Sequence, residues 1–302
     1  MTATDVPAVR SSLGKVGVWF SAISSRTAVD AGEAAREIEG LGYGCLWVGE
    51  APNGKEALTH SGLLLAATST LVVATGIANI YARDPMAMQL GALTLGEAYP
   101  GRFVLGIGVS HRPLVAARGH DYGKPLSAMR EYLDGMAAAE YLPPAPAQPV
   151  PVVLAALRPR MLELAAERTA GAHPYFVPVE HTAKARATLG PDPLLAPELM
   201  VILEEDAETA RATARRTTAM YLGLPNYVNN LLELGYTDED VAGGGSDRLV
   251  DDIVAWGSPA AIKERVDAHL AAGADHVPIQ PVGGRFADQM QQLRTLAPVL
   301  LA

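Results

Sequence analysis

"GRFVLGIGVSHRPLV", residues 101–115, decides the fold. A glycine turn leads into an apolar run interrupted by Gly106 and Gly108, and the run empties directly into Ser110, His111, Arg112 and Pro113. A short apolar run bounded by turn signals reads as a strand buried on both faces. Such a strand ends in polar and cationic groups where parallel strands converge on one functional mouth. The stretch also begins like the G-x-G-x-x-G dinucleotide fingerprint, but His111 stands at the third glycine position and "RPLV" does not open a helix at the required point. Gly106 and Gly108 therefore have two open readings. They relieve crowding between tapering strands, or they let a flat ring lie against the backbone.

Outward from this strand, apolar runs alternate with segments of helical period. The runs are "KVGVWF" (15–20), "CLWVGE" (45–50), "TLVVATGIANI" (70–80), the opening stretch, "VVLAAL" (152–157), "AHPYFV" (172–177), "ELMVIL" (198–203) and "DHVPIQPV" (275–282). Thr27 or Asp30 opens one helix, which Gly40 and Gly42 can end; Asp84 followed by Pro85 caps another. The proline-rich "LPPAPAQPVP" (142–151) reads as a stiff loop, since the next strand resumes the alternation at once. Helical patterns at 204–256 make an insertion before the last strand, and residues 1–13 read as a flexible N-terminus. No gap marks a reversal of strand order, so the expectation is α/β, a single (β/α)8 TIM-barrel domain spanning 1–302.

At 302 residues the chain is long enough for one such barrel. Its net charge of −9 is spread along the sequence, which disfavours a nucleic-acid partner and leaves a small-molecule substrate. Cys45, the only cysteine, lies in "GCLWV", cannot form an intrachain disulfide, and reads as a packed core thiol in a reducing compartment. "MTATDVPAVRSSLGK" lacks an apolar signal region, and no segment holds the roughly 20 uncharged apolar residues of a membrane span. A cytoplasmic protein with no membrane partner is expected. The histidines at 60, 120, 181, 269 and 276 form no metal-spaced set, and neither a paired-carboxylate nor a nucleophile-elbow motif is present.

Four segments together resemble the luciferase-like oxidoreductases, and within them the branch that uses the deazaflavin coenzyme F420. They are "GCLWVGEAP" (44–52), "VATGIANIYARDP" (73–85), "YPGRFVLGIGVSHRPL" (99–114) and "VVLAALRPRMLELAAERTAGAHPYFVP" (152–178). The resemblance implies a luciferase-like TIM barrel that transfers hydride between F420 and an unidentified small organic substrate, with a side chain or solvent supplying the proton. Two alternatives stay open: a monooxygenase of the same barrel type using FMN, and a non-catalytic flavin-binding or carrier protein. Related barrels commonly dimerise through helices near strands two and three, and "LGALTLGEAYPG" is apolar on more than one helix face, so a homodimer is expected.

Carried onto single residues, the resemblance places Thr75, Gly76, Ile77 and Asn79 in a bulge behind the cofactor's central ring, with a cis peptide at Gly76–Ile77; an ordinary all-trans bulge is the alternative. Glu50 falls near the cofactor's polar edge and is also a candidate catalytic residue. Ala51 stands where the family's sugar-phosphate dehydrogenase has a histidine, which argues against that substrate. Gly108, Val109, Ser110 and His111 fall at the reactive face. His111 occupies the place of a glutamate proposed as proton donor, and an imidazole titrating near neutrality suits that task; otherwise it positions the Arg112 loop.

In "LAALRPRM", small residues precede a helix beginning near Pro159, whose free N–H groups and dipole favour an anion. Ala155, Ala156, Leu157, Arg158, Arg160 and Met161 are therefore candidate contacts for a phosphate or a poly-glutamate tail, against the reading of solvated arginines. His173 and Tyr175 come to the mouth of strand six, where His173 is a cofactor contact or a packed residue. Trp19 and Phe20 end strand one and wall the substrate pocket, with core packing as the other reading.

Overall fold

Buried strands of two to six residues, most of them followed by a helix, fix the architecture of residues 5–302, which the computed structural model describes. In chain order the elements are α1 (Val6–Leu13), β1 (Val16–Trp19), α2 (Ala28–Gly40), β2 (Cys45–Val48), α3 (Ala57–Ala67), β3 (Val72–Thr75), β4 (Ala78–Asn79), α4 (Pro85–Ala98), β5 (Phe103–Gly108), α5 (Arg112–Ala116), α6 (Pro125–Ala137), β6 (Val152–Leu154) and α7 (Pro159–Arg168). There follow β7 (Gly171–Ala172), α8 (Val179–Leu189), β8 (Leu194–Leu195), β9 (Leu199–Ile202), α9 (Ala207–Leu222), α10 (Pro225–Glu233), α11 (Asp238–Val241), α12 (Asp247–Ile253), β10 (Val254–Trp256), α13 (Pro259–Ala271), β11 (Val277–Pro281) and α14 (Phe286–Leu300). The side chains of Thr27 and Asp84 accept backbone N–H groups at the starts of α2 and α4, as their positions in the sequence predict.

All pairings are parallel, and the sheet curls into a (β/α)8 barrel. Its staves, strands one to eight in turn, are β1, β2, β3 with β4, β5, β6, β7, β8 with β9, and β11, so that strand four is β5. The seventh stave is bent. Its lower part bonds β7 on one side, and Leu195 O accepts the Asp275 N–H (2.9 Å) at the foot of β11 on the other. Higher up, β9 pairs with both β11 and β10. The insertion thus ends in a strand, β10, that its helical pattern does not announce.

Two further expectations are corrected. Residues Val6–Leu13 are helical, not flexible: Asp5 caps the helix, Arg10 pairs with Asp275 (3.0 Å), and Leu13 is fully buried with Cys45, Trp47, Val72 and Val104 inside the barrel. The helix is pinned by His276, whose Nδ1–H donates to Gly14 O (2.7 Å) while its Nε2 accepts the Trp47 indole N–H (3.1 Å). Residues 1–4 of the expected flexible segment lie outside the described residues. The chain after strand four does open a helix, the short α5 at Arg112, with His111 at its N-cap position.

Gly106 answers one part of the opening question. A Cβ there would stand 1.9 Å from Thr75 O, so its missing side chain lets β3 and β5 approach. For α1, Leu13→Ala is expected to lower the unfolding free energy by about 2–5 kcal/mol in urea titration, as for other buried leucines. A flexible N-terminus would leave the midpoint unchanged.

Candidate functional site

The C-terminal ends of the strands form the mouth, and the third strand's end is tied down first. Glu50 follows β2 with its side chain only 3 % exposed. Its Oε2 accepts the Asn79 N–H (2.7 Å), its Oε1 accepts the Ala57 N–H (3.3 Å), and Arg83 pairs with it. Arg83 also reaches Glu56 (2.6 Å), the N-cap of α3. Glu50 therefore holds the bulge in place, with its oxygens engaged by these partners. The bulge contains the cis bond at Gly76–Ile77 that the resemblance implies. Thr75 is spent on a reciprocal pair with Gly106, donating to its O (2.7 Å) and accepting from its N (2.8 Å). Asn79 turns inward, its Oδ1 accepting the Tyr81 N–H (2.9 Å). Beside this tie a groove of about 570 Å3 is lined by Ile80, Tyr81, Arg83, His120 and Tyr132, within the range of small-ligand sites.

At strands four and five the floor is apolar and close-packed. A Cβ on Gly108 would meet Ile77 at 2.8 Å and Ala155 at 3.0 Å. These three residues thus form a continuous surface. Val109 is half-buried, and Ser110 has a left-handed backbone, φ 57°, that turns the chain over the rim and presents its carbonyl to the Tyr122 hydroxyl (3.1 Å). Ala155 faces the interior while Ala156 is buried outward against the helices, so Ala156 is not at the mouth. Met161 likewise packs on the outer core. Leu157 O accepts from His181 Nε2 (2.6 Å). Arg158 forms a two-pronged pair with Glu233 at the end of α10, with Nε–Oε2 at 3.1 Å, and so is not free for an anion. Arg160 is exposed and unpaired among the described residues, next to the N-terminus of α7, which no side chain caps.

Strands six to eight carry the polar side of the mouth. His173 lies one layer down, stacked on Trp47 (centroids 4.2 Å); its Nδ1–H donates to Ala196 O (2.7 Å), its Nε2 is buried without a partner, and burial pulls its pKa down to about 4. Tyr175 donates to Gln280 Oε1 (2.7 Å) and meets the Tyr221 hydroxyl at 2.6 Å. Trp19 packs on Tyr175 (5.3 Å) and donates to Gly76 O (3.1 Å), so it belongs to the floor of the mouth. Phe20 does not reach the pocket: it is fully buried outside the barrel, stacked on Phe286 of α14 (5.3 Å).

His111 projects from strand four against Tyr227 of α10 (5.2 Å), and burial lowers its pKa. It is therefore neutral at neutral pH. Tyr221, Tyr227 and Glu198 were not legible in the sequence as site residues. The first two ride on the insertion. Glu198 is fully buried at the bend of the seventh stave, with only the Phe176 N–H (3.4 Å) on Oε2 and nothing on Oε1. Phe176 adopts φ 60° to make that contact.

With this geometry in hand, comparison with known proteins is decisive for the family. Residues 12–276 match the model of the family described as luciferase-like monooxygenase. The chain belongs to that family of oxidoreductase enzymes. It is 25 % identical over 287 residues to a 5,10-methylenetetrahydromethanopterin reductase of Methanolobus tindarius, covering 80 % of this chain and 87 % of the relative. Among solved structures, it is similar to an F420-dependent secondary alcohol dehydrogenase in complex with an F420-acetone adduct (TM-score 0.76, 14 % identity, 95 % and 98 % covered). It is also similar to the oxygenating constituent of 3,6-diketocamphane monooxygenase of Pseudomonas putida in complex with FMN (TM-score 0.67, 16 % identity, 94 % and 96 % covered). At these identities the structures share the fold.

Glu198 gives the site a pH signature. Burial, partly offset by the Phe176 N–H, pushes its pKa from 4.5 up to about 8. The unfolded chain releases this proton near 4.5 and the folded chain near 8, so in that window the native state holds the extra proton and stability falls as pH rises. Glu198→Gln, whose amide oxygen still accepts from Phe176, is expected to gain thermal stability over the parent progressively from pH 5 to pH 8. A constant difference between the two proteins across that range would contradict the assignment.

Proposed function

We propose that the chain moves a hydride between coenzyme F420 and a small organic substrate at this mouth. The observation that carries the reading is one rim holding both halves of a ring-and-tail ligand site. The Ile77–Gly108–Ala155 surface is apolar and close-packed, while Arg160, exposed and unpaired among the described residues, stands at the start of α7, which no side chain caps. Arg112, over the Tyr122 ring (5.3 Å), and Arg118 follow strand four on the α5 segment and supply further cationic groups after that strand. The donor set fits the cofactor. Bound there, the deazaflavin supplies or takes up the hydride; the protein binds, orients and manages the proton.

Each residue then has a stated task. Glu50 and Arg83 hold the bulge, Ile77, Gly108 and Ala155 carry the ring, and Arg160 holds the tail. His111, neutral in its half-buried place, accepts or donates a proton at the reactive face. FMN remains the rival cofactor because one fold neighbour binds it. We further propose a homodimer through the faces of α3 and α4, where Leu63 and Met86 are exposed, and a cytoplasmic location for the protein with its lone buried thiol. Among the described residues no helix is long and apolar enough to cross a membrane.

Titration of the purified protein should show micromolar or tighter binding of F420 and much weaker binding of FMN. Arg160→Ala should weaken F420 about ten-fold, the scale of one charge-assisted contact. Equal or tighter FMN binding would overturn the cofactor assignment. With a verified substrate, His111→Ala should slow turnover by about 10² to 10⁴ while leaving F420 affinity nearly intact. Light scattering should return twice the chain mass; a monomer at all concentrations would remove the dimer.

A further inference from the structure

The aromatic cluster at the mouth has one hydroxyl to spare. Tyr175 and Tyr221 are hydrogen-bonded to each other and to Gln280, and Tyr122 donates to Ser110 O. Tyr227 has no hydrogen-bond partner among the described residues, and the residue is 7 % exposed. Its ring is nonetheless fixed. It stands against His111 (5.2 Å), edge-on to Phe176 (5.4 Å) and Tyr221 (5.5 Å), and near Tyr175 (6.3 Å). A rigid ring with an unengaged O–H at a functional mouth is preorganised to donate a hydrogen bond to something that arrives.

The surroundings say what arrives. The polar groups around Tyr227 are an imidazole, three phenols counting its own, and an amide, while Arg158 is neutralised by Glu233 on the same helix, α10. Glu198 beneath them has no cation beside it. Arg112, next in sequence to His111, lies over the Tyr122 ring (5.3 Å) and not the Tyr227 ring, so an anionic group at Tyr227 would be desolvated with little return. An uncharged acceptor would meet a ready donor.

We propose that the Tyr227 hydroxyl donates a hydrogen bond to the oxygen or nitrogen of an uncharged carbonyl or imine at the reacting carbon of the substrate, orienting it for the proton transfer assigned to His111. This rests on the hydride-transfer reading above and deepens it. In the reducing direction the hydride, from the reduced deazaflavin, bonds to the carbon of the C=O or C=N group. The π-electron pair moves onto the oxygen or nitrogen, which is held by the Tyr227 hydroxyl and takes its proton from the imidazolium form of His111 or from solvent. The products are an alcohol or amine and the oxidised cofactor. In the oxidising direction each transfer reverses.

The test uses the intact protein without cofactor. Benzaldehyde and benzoate are titrated while following tryptophan fluorescence, to which Trp19 beside Tyr175 reports. Benzaldehyde is expected to bind and benzoate to bind at least about ten-fold more weakly, because its charge goes unpaired. Tyr227→Phe should weaken benzaldehyde about five-fold, the worth of one neutral hydrogen bond, and leave the thermal midpoint unchanged, since no bond within the protein is lost. Tyr221→Phe, which removes the bond to Tyr175, should lower the midpoint. Parent affinity for benzaldehyde in Tyr227→Phe, benzoate binding as tight as benzaldehyde, or no benzaldehyde binding would each overturn the proposal. Because no cofactor is present, these outcomes are independent of the F420 titration. If that titration fails while the benzaldehyde results hold, only the cofactor reading falls.

Discussion

A single buried carboxylate shapes the mouth of this barrel. Glu50 collects the backbone N–H of Asn79 from the third strand, that of Ala57 from the start of α3, and the guanidinium of Arg83 from the loop leading to α4. Three segments that would otherwise leave the barrel in separate directions are thereby fastened at one point. A buried carboxylate is tolerated only when paired and hydrogen-bonded, and here both conditions are met. With the bulge fixed, Ile77 is held against Gly108 and Ala155, and Trp19 is held against Gly76. Loss of the Glu50–Arg83 pair would release the floor on which any ring must rest.

The opposite side of the mouth is assembled differently. Strands six to eight contribute Tyr175, Glu198 and Gln280, and the insertion lays Tyr221 and Tyr227 over them. Contacts among uncharged aromatic and amide groups replace the ion pairs of the other side. The barrel therefore presents arginines at the rim of strands four and five and uncharged hydrogen-bonding groups at strands six to eight. In the proposed function that division separates the cofactor's tail from the reacting centre.

Much of this was legible in the sequence where local rules govern. The βα alternation, the caps at Thr27 and Asp84, and the position of His111 at the mouth follow from periodicity and turn chemistry. The misses have physical causes. Along a strand successive side chains point to opposite faces, so Trp19 faces inward while Phe20 packs outward on Phe286, and Ala155 and Ala156 divide in the same way. Helix α1 is short and polar enough to read as a tail; what makes it a helix is the Asp5 cap and the burial of Leu13 beneath the barrel, a tertiary effect. Arg158 looked available for an anion because its partner, Glu233, comes from a distant insertion. Tyr227 and Glu198 were invisible for the same reason: neither has a local motif, and each acquires its setting only when the insertion and the bent seventh stave close over strand four.

The central claim is that the two rims hold one ligand, ring on the Ile77–Gly108–Ala155 surface and tail toward Arg160. A crystal structure of the protein grown with saturating F420 tests it directly. The account predicts density for the deazaflavin ring against the bulge, its anionic tail at the start of α7, and His111 and Tyr227 facing the ring's exposed side. A ring bound elsewhere, or a mouth that stays free of the cofactor at saturating concentration, would contradict it.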